Sequence, residues 1–89
     1  MRSISYSGKF KKDLKLAKKR GKDIKKLTDA MQLLIDKKSL PAILNDHPLQ
    51  GDWKPRRDLH IEPDWLLIYI VDDTHVHFDR TGSHSDLFK

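Results

Sequence analysis

The length of 89 residues predicts one domain spanning residues 1–89, with a compact core and no linker. The chain has no cysteine, which excludes a disulfide framework and a cysteine-ligated zinc site. Its net charge of +5 favours a polyanionic partner, nucleic acid first of all, although a basic surface also arises for solubility alone.

The N-terminus lacks the apolar run of a signal peptide. The longest apolar stretch, from Trp65 to Val71, is far shorter than the roughly 20 residues that a membrane helix needs. We therefore expect a cytoplasmic protein that makes no membrane contact.

The first 38 residues predict a short strand followed by two helices. Residues 2–6 alternate as a strand does, and residues 8–20 place apolar side chains at helical spacing up to a break at Gly21. Asp23 is placed to cap a second helix with a continuous apolar stripe. The short connection predicts an antiparallel helical hairpin whose lysines face solvent or RNA phosphates.

The second half predicts a loop and three strands. Three of the four prolines lie in residues 40–55, which argues for a loop there. Residues 57–62 alternate, residues 65–71 are apolar on both faces, and residues 75–80 follow after a short turn. Because short connections require antiparallel neighbours, we predict an α+β fold of order β-α-α-β-β-β. The helical hairpin then covers one face of an antiparallel four-stranded sheet, and residues 81–89 form a tail.

The histidines are the strongest chemical signal, because all five lie in the second half and His titrates near neutral pH. His47, His60 and His84 each stand among polar or turn residues. Taken singly, a surface His is usually only a solvated side chain. RNA, however, carries its own nucleophile in the 2′-hydroxyl. Its cleavage needs a base, an acid and a cation, and this half of the chain supplies all three types.

A metal nuclease is the rival chemistry. His75 and His77 share one strand face, with Asp72, Asp73 and Asp79 nearby in sequence. The spacing fixes no third ligand, and two histidines on a strand face beside a turn are more often solvated surface residues. We therefore predict no metal and no cofactor.

Three segments carry a resemblance to a known family, and together they span about half of the chain: His47–Lys54, Arg57–Tyr69 and Arg80–Phe88. The chain resembles the YafQ branch of the RelE/ParE toxin superfamily. The resemblance implies an active site lined by His47, His60, Asp64, Arg80, His84 and Phe88. It further implies that His84 is the general acid, that Asp64 or His60 takes a proton, that Arg80 stabilises the phosphate, and that His47 assists.

Substrate contacts are expected from Trp65 and Phe88, which could stack on an unpaired base, and from Lys54, Arg56 and Arg57. For Trp65, core packing is an equally good alternative. The chain departs from the family habit at Arg56, where an apolar residue is common, and at Ser83, where Thr is common.

Arg80 raises a geometric difficulty. Strict alternation from Val76 and Phe78 places its side chain on the apolar side of the strand. A bulge or the strand end must therefore re-aim it.

The resemblance implies the toxin of a type II toxin–antitoxin system, a ribosome-dependent endoribonuclease that cleaves mRNA without a metal. Its partners would be a cognate antitoxin protein, mRNA and the ribosome, with operator DNA reached only through the antitoxin. Two alternatives remain open: a non-catalytic nucleic-acid-binding module, and a topoisomerase-poisoning toxin of the same fold. The second generally lacks the acid–base histidines.

Overall fold

The computed structural model describes residues 1–88, which form a mixed α+β domain around a five-stranded sheet of order β1-β5-β4-β3-β2. The strands are β1 (Ser3–Tyr6), β2 (His47–Pro48), β3 (Arg57–Glu62), β4 (Trp65–Val71) and β5 (His75–Gly82). The helices are α1 (Gly8–Lys19), α2 (Ile24–Ile35) and α3 (His84–Leu87), with 3₁₀ turns at Ala42–Leu44 and Gly51–Trp53. Within residues 1–88, no helix has the length and apolarity to cross a bilayer.

Side-chain caps mark the start of both long helices, and a glycine follows the end of α1. The Ser7 hydroxyl accepts from the Phe10 N–H at 2.9 Å, and the Asp23 carboxylate accepts from the Lys25 N–H at 3.1 Å. Gly21, with a φ of 76°, follows α1 in the left-handed conformation that glycine adopts without strain. Both helices pack their apolar stripes on one face of the sheet, as predicted, and share one core cluster with it.

The sheet differs from the predicted one in two respects. Strand β1 runs parallel to β5, from the pair Ser3 with His75 to the pair Tyr6 with Phe78, whereas we expected only antiparallel pairs. A fifth strand, β2, pairs with β3 inside the segment predicted to be a loop. Short connections fix the direction of consecutive strands only. Strand β1 meets β5 from the other end of the sequence, so no turn constrained that pair.

The expected re-aiming of Arg80 is confirmed as a bulge. Ile68 pairs with Arg80 while the next residue, Tyr69, pairs with Phe78, which leaves Asp79 as the extra residue of β5. Because a bulge reverses the alternation beyond it, Arg80 shares a face with Ile68 and not with Phe78.

The segment predicted to be a tail is ordered. Strand β5 continues to Gly82, and Ser83 then caps α3 through a reciprocal capping box with Asp86. The helix covers the sheet face opposite α1 and α2: Leu87, 6% exposed, packs with the buried Leu66 and Ile68. One face of the sheet therefore carries α1 and α2, here called the helix-covered face, and the second face carries the short α3 together with the predicted site histidines.

Candidate active site

A row of aromatic rings crosses the second face of the sheet. The ring centroids of His47 and His60 lie 5.9 Å apart, those of His60 and His84 5.8 Å, and those of His84 and Phe88 6.4 Å. Trp53 continues the row, with its ring 4.9 Å from Phe88 in an edge-to-face contact. The structure thus gathers all three predicted histidines, and Phe88, into one surface.

Strand register explains why these side chains meet. His47 of β2 lies opposite Asp58 of β3, and Asp58 and His60 share a face because strand side chains alternate. His84 opens α3, which starts directly after β5. The capping box and the buried Leu87 hold this short helix in place, so His84 and Phe88 are presented beside β3.

Asp64 fixes the orientation of His84. One carboxylate oxygen, Oδ1, accepts the backbone N–H of His84 at 2.9 Å and its ring Nδ1–H at 2.5 Å. These bonds, the backbone one first, lower the pKa of Asp64. The carboxylate therefore stays charged at neutral pH and leaves Nε2 of the exposed His84 ring free for a reactant.

His47 and Asp58 form a close pair at the edge of the ring row. The ring Nδ1–H of His47 donates to the Asn45 carbonyl at 2.9 Å, so Nε2 of the neutral ring carries a lone pair. That atom faces Oδ1 of Asp58 at 3.0 Å. Burial raises the pKa of Asp58, which is 3% exposed. A ring that carries a proton on Nε2 would donate to this carboxylate, whereas a ring protonated only on Nδ1 would place two lone pairs face to face.

Asp58 was not selected from the sequence as a site residue. Its position two residues before His60, on the polar face of an alternating strand, was the available signal. The structure adds that Asp58 Oδ1 and His60 Nδ1 are buried and make no well-aligned hydrogen bond within residues 1–88. A ligand or water that forms hydrogen bonds to such buried atoms gains binding energy from them.

A second group of side chains forms a groove with three cations and two carboxylates around one aromatic ring, here called the cationic groove: Lys9, Asp52, Trp53, Arg56, Asp79 and Arg80. Arg56 lies 5.9 Å from the Trp53 ring and pairs with Asp79 at 2.6 Å. Because Trp53 also contacts Phe88, the groove adjoins the end of the ring row. Arg56, singled out as a departure from the family habit, is thus a component of this groove.

Arg80 is held by a partner that the sequence did not indicate. Its guanidinium donates to both carboxylate oxygens of Asp13 on α1, from Nε at 2.7 Å and from Nη2 at 3.1 Å. The same carboxylate accepts the Thr81 N–H at 3.2 Å. Asp13 therefore fixes Arg80 at the groove. It also satisfies a backbone N–H on the edge of β5 beyond Phe78, where the pairing with β1 ends.

Two of the expected substrate contacts lie on the helix-covered side of the sheet, away from the row of rings. Trp65 is 1% exposed and its indole N–H donates to the Thr81 hydroxyl at 3.0 Å, so it is a core residue that no base can reach. Arg57 shares the helix-covered side of β3 with Leu59 and pairs with Asp46 at 2.9 Å. The Tyr69 hydroxyl donates to the same carboxylate.

Arg57 and Tyr69 consequently position the loop that carries His47, the neighbour of Asp46. Lys54 is exposed after the second 3₁₀ turn, a position open to solvent and to RNA. Trp53, absent from the expected site, provides the accessible aromatic surface that was assigned to Trp65.

The candidate metal ligands also differ from those considered in the sequence. His75 hydrogen-bonds to Ser3 and Ser5, and His77 to Ser5, across the β1–β5 pair. The described residues contain one cluster with metal-ligand geometry, in which the ligand atoms of His47, Asp58 and His60 lie within 4.8 Å of one another.

Comparison with known proteins agrees with this architecture. A family model of the bacterial toxin of the type II toxin–antitoxin system, YafQ, matches residues 2–89. The mRNA interferase toxin YafQ of Escherichia coli K12 is 56% identical over 88 residues, which cover 98% of this chain and 96% of that protein.

Two solved structures extend the likeness to the fold. A chain in the crystal structure of the Escherichia coli DinJ–YafQ complex has a TM-score of 0.93 at 54% identity, with both chains covered completely. A metal-bound toxin from Helicobacter pylori has a TM-score of 0.91 at 40% identity, covering 99% of this chain and 100% of that one. The chain therefore belongs to the YafQ family of toxins of bacterial type II toxin–antitoxin systems.

Proposed function

We propose that this chain is an endoribonuclease that cleaves mRNA on the ribosome by acid–base catalysis of its own side chains. The observation that carries the proposal is the row of His47, His60 and His84, flanked by Asp58 and Asp64. The relative named an mRNA interferase toxin in Escherichia coli supports the same activity.

In the proposed reaction, the 2′-hydroxyl of RNA attacks the adjacent phosphorus while its proton passes to a base. The bond from phosphorus to the 5′ oxygen breaks, and that oxygen leaves with a proton from an acid. The products are a 2′,3′-cyclic phosphate and a 5′-hydroxyl.

We assign the acid to His84 and the base to His60. His84 is exposed and oriented by Asp64, so its Nε2 is free to deliver a proton. Asp64 is a poor base because its pKa is lowered by the bonds from His84. His60 lies between His84 and the His47–Asp58 pair. The buried Asp58 carboxyl can stabilise the imidazolium that His60 becomes.

The cationic groove supplies the remaining requirements. Arg80, with Arg56 and Lys9 beside it, is suited to meet the charge that grows on the phosphate. Trp53 and Phe88 offer a stacking surface for a neighbouring base, which contributes about 1–3 kcal/mol in other proteins.

The partners follow from this assignment. The lysine-rich outer surface of α1, exposed at Lys11, Lys12, Lys15, Lys18 and Lys19, is suited to ribosomal RNA phosphates. The Escherichia coli relative was crystallised with DinJ, and a cognate antitoxin protein is the partner proposed for this chain. Operator DNA would be reached only through that antitoxin, and action on translating ribosomes requires a cytoplasmic location.

The test is cleavage of ribosome-bound mRNA by the purified chain and its His84→Ala variant. Loss of a general acid costs about 10²- to 10⁴-fold in rate, while His75→Ala, a control outside the site, keeps full activity. End-group analysis should find a 5′-hydroxyl. A 5′-phosphate would mean attack by water, and undiminished cleavage by His84→Ala would overturn the assignment. RNA binding without any cleavage would favour a non-catalytic module.

A further inference from the structure

We propose that Trp53 and Arg56 form a subsite for one guanine base of the mRNA, close to the cleaved bond, and that Arg56 makes cleavage depend on that base. The effect on cleavage rests on the proposed endoribonuclease activity. Binding of guanine by the subsite does not, and it can be tested without the ribosome.

The backbone of one loop holds Trp53 and Arg56 together. The Arg56 N–H donates to the Trp53 carbonyl at 2.8 Å, and the Arg56 carbonyl accepts the Leu49 N–H at 2.9 Å. The Arg56 guanidinium lies 5.9 Å from the centre of the Trp53 ring, and Phe88 packs edge-to-face with the same ring. The loop therefore presents a ring and a guanidinium as one preorganised unit, which saves much of the cost of ordering them around a ligand.

Asp79 determines which edge of the guanidinium is available. Its carboxylate accepts the Arg56 Nε–H at 2.6 Å, and its backbone carbonyl accepts the Ser7 hydroxyl at 2.5 Å. The Arg56 and Asp79 side chains are 30% and 18% exposed. Within residues 1–88, neither Nη atom of Arg56 has a hydrogen-bond partner. The two parallel N–H donors of this edge are therefore free for a ligand that has two neighbouring acceptors.

The carboxylates of the groove favour a base over a second phosphate. Asp52 lines the same groove as Arg56 and immediately precedes Trp53 in its 3₁₀ turn. A carboxylate accepts hydrogen bonds from N–H donors, but it repels a phosphate. Asp79 places a second negative charge in the groove. This combination suits a planar, uncharged ligand with both acceptors and donors, as a nucleobase is.

Guanine is the base that matches these groups. Its O6 and N7 atoms are neighbouring acceptors, and arginine binds this pair with two parallel hydrogen bonds in the commonest base-specific contact of protein–DNA complexes. Unpaired RNA bases expose the same edge and stack on aromatic side chains. Adenine has an amino donor beside N7, and cytosine, which also has adjacent acceptors, offers a smaller face to Trp53. Guanine further carries N–H donors that the Asp52 carboxylate can accept.

The subsite adjoins the proposed cleavage centre. Phe88 connects the two, because its ring centroid lies 6.4 Å from that of His84 and 4.9 Å from that of Trp53. Arg80 lines the same groove as Arg56. An RNA strand with its scissile phosphate at Arg80 and His84 therefore brings a nearby base to Trp53.

Binding is tested by NMR titration of the full-length protein with guanosine 5′-monophosphate, adenosine 5′-monophosphate and inorganic phosphate. The Trp53 indole N–H and the Arg56 Nε–H report on the subsite, and the indole N–H of the buried Trp65 is the internal reference. We expect the guanine nucleotide to shift both reporters at concentrations where the other two probes leave them unchanged. Equal responses to the three probes, including none at all, would refute guanine binding.

Specificity is tested on ribosome-bound mRNAs that differ in a single base at each position flanking the cut. We expect the parent to prefer guanine at one position by about 5- to 100-fold, the discrimination that a bidentate contact provides. Arg56→Ala should remove the preference. Arg56→Lys should do the same, because an ammonium keeps the charge but lacks the planar fork. Replacing that guanine with 7-deazaguanine, which lacks the N7 acceptor, should slow the parent and leave Arg56→Ala unaffected.

Lys37→Ala is the matched control, because it removes one cation of an ion pair, with Asp73 at 3.3 Å, outside the groove. It should keep the preference of the parent, and circular dichroism checks the fold of every variant. An equal loss of cleavage on all sequences in Arg56→Ala would assign Arg56 to a phosphate and overturn the proposal. Cleavage by the parent without a preferred guanine would overturn it while leaving the nuclease intact, whereas guanine binding without any cleavage would refute the nuclease alone.

Discussion

Replacing Asp13 with alanine tests how the far half of β5 is anchored. Asp13 accepts three hydrogen bonds, two from Arg80 at 2.7 and 3.1 Å and one from the Thr81 N–H at 3.2 Å. The Arg80 and Asp13 side chains are only 22% and 13% exposed, so solvent screens the pair weakly. Hydrogen bonds to charged groups contribute about 1.5–3 kcal/mol each, but bonds that share one carboxylate are not additive.

We therefore expect Asp13→Ala to lower the free energy of unfolding by about 2 kcal/mol. For a domain of this size, that corresponds to a fall in Tm of about 8–16 °C. The assay is thermal and urea denaturation followed by circular dichroism. Asp13→Asn keeps an acceptor for the Thr81 N–H but loses the ion pair, so it should lie between the parent and Asp13→Ala.

Asp29→Ala is the matched control, because Asp29 makes an i, i+4 pair with Lys25 whose side chains are 63% and 79% exposed. Such an exposed pair is screened by solvent and contributes little to stability. Equal Tm values for Asp13→Ala and Asp29→Ala would refute the claim that α1 anchors this edge of β5.

Two further predictions concern stability. The pKa of Asp86 is lowered, first by the Arg20 guanidinium and then by the Ser83 N–H. The ionised carboxylate therefore stabilises the fold above the unfolded pKa of about 4, and this stabilisation is lost as pH falls below that value. Tm measured from pH 5 downward should fall more steeply in the parent than in Asp86→Asn, and parallel curves would contradict this. Trp65→Phe, which loses the bond to Thr81, should cost about 1–3 kcal/mol in urea denaturation, whereas Trp53→Phe should stay within about 0.5 kcal/mol; equal losses would count against the core assignment.

Local sequence patterns were sufficient to predict an element where neighbouring residues along the chain determine it. Strands β3 and β4 have the predicted bounds, because alternation in one and a continuous apolar run in the other are properties of neighbouring residues. The two long helices follow equally from their caps and stripes. Strand β2 escaped prediction because two residues, one of them Pro48, carry no periodicity.

Helix α3 was missed although its signal was present. Ser83 and Asp86 stand three residues apart, the spacing of a capping box. The four-residue helix is too short to show an apolar stripe, so the capping box was the sequence pattern that could have predicted it. The parallel pairing of β1 with β5 joins residues over 70 positions apart, and no local pattern encodes such a contact.

For the site, the resemblance and the polar alternation brought the three histidines together, while the electrostatic partners required coordinates. The side on which Arg57 lies could have been predicted from the sequence, since the alternation that puts His60 on the polar face puts Arg57 on the other. The partners Asp13 and Asp58 depend on tertiary approach and burial. The bulge at Asp79 was foreseeable because the chemistry expected of Arg80 conflicted with strict alternation.

The position of β5 has a consequence for how the toxin folds. The strand that follows all the others along the chain is inserted between β1 and β4, so the sheet stays divided until β5 docks. Contacts of such long sequence separation form late and slowly. Arg80 lies on that strand, and His84 directly follows it. We therefore expect a partly folded chain to lack the complete cluster of proposed catalytic groups, because Arg80 and His84 join it only when β5 docks.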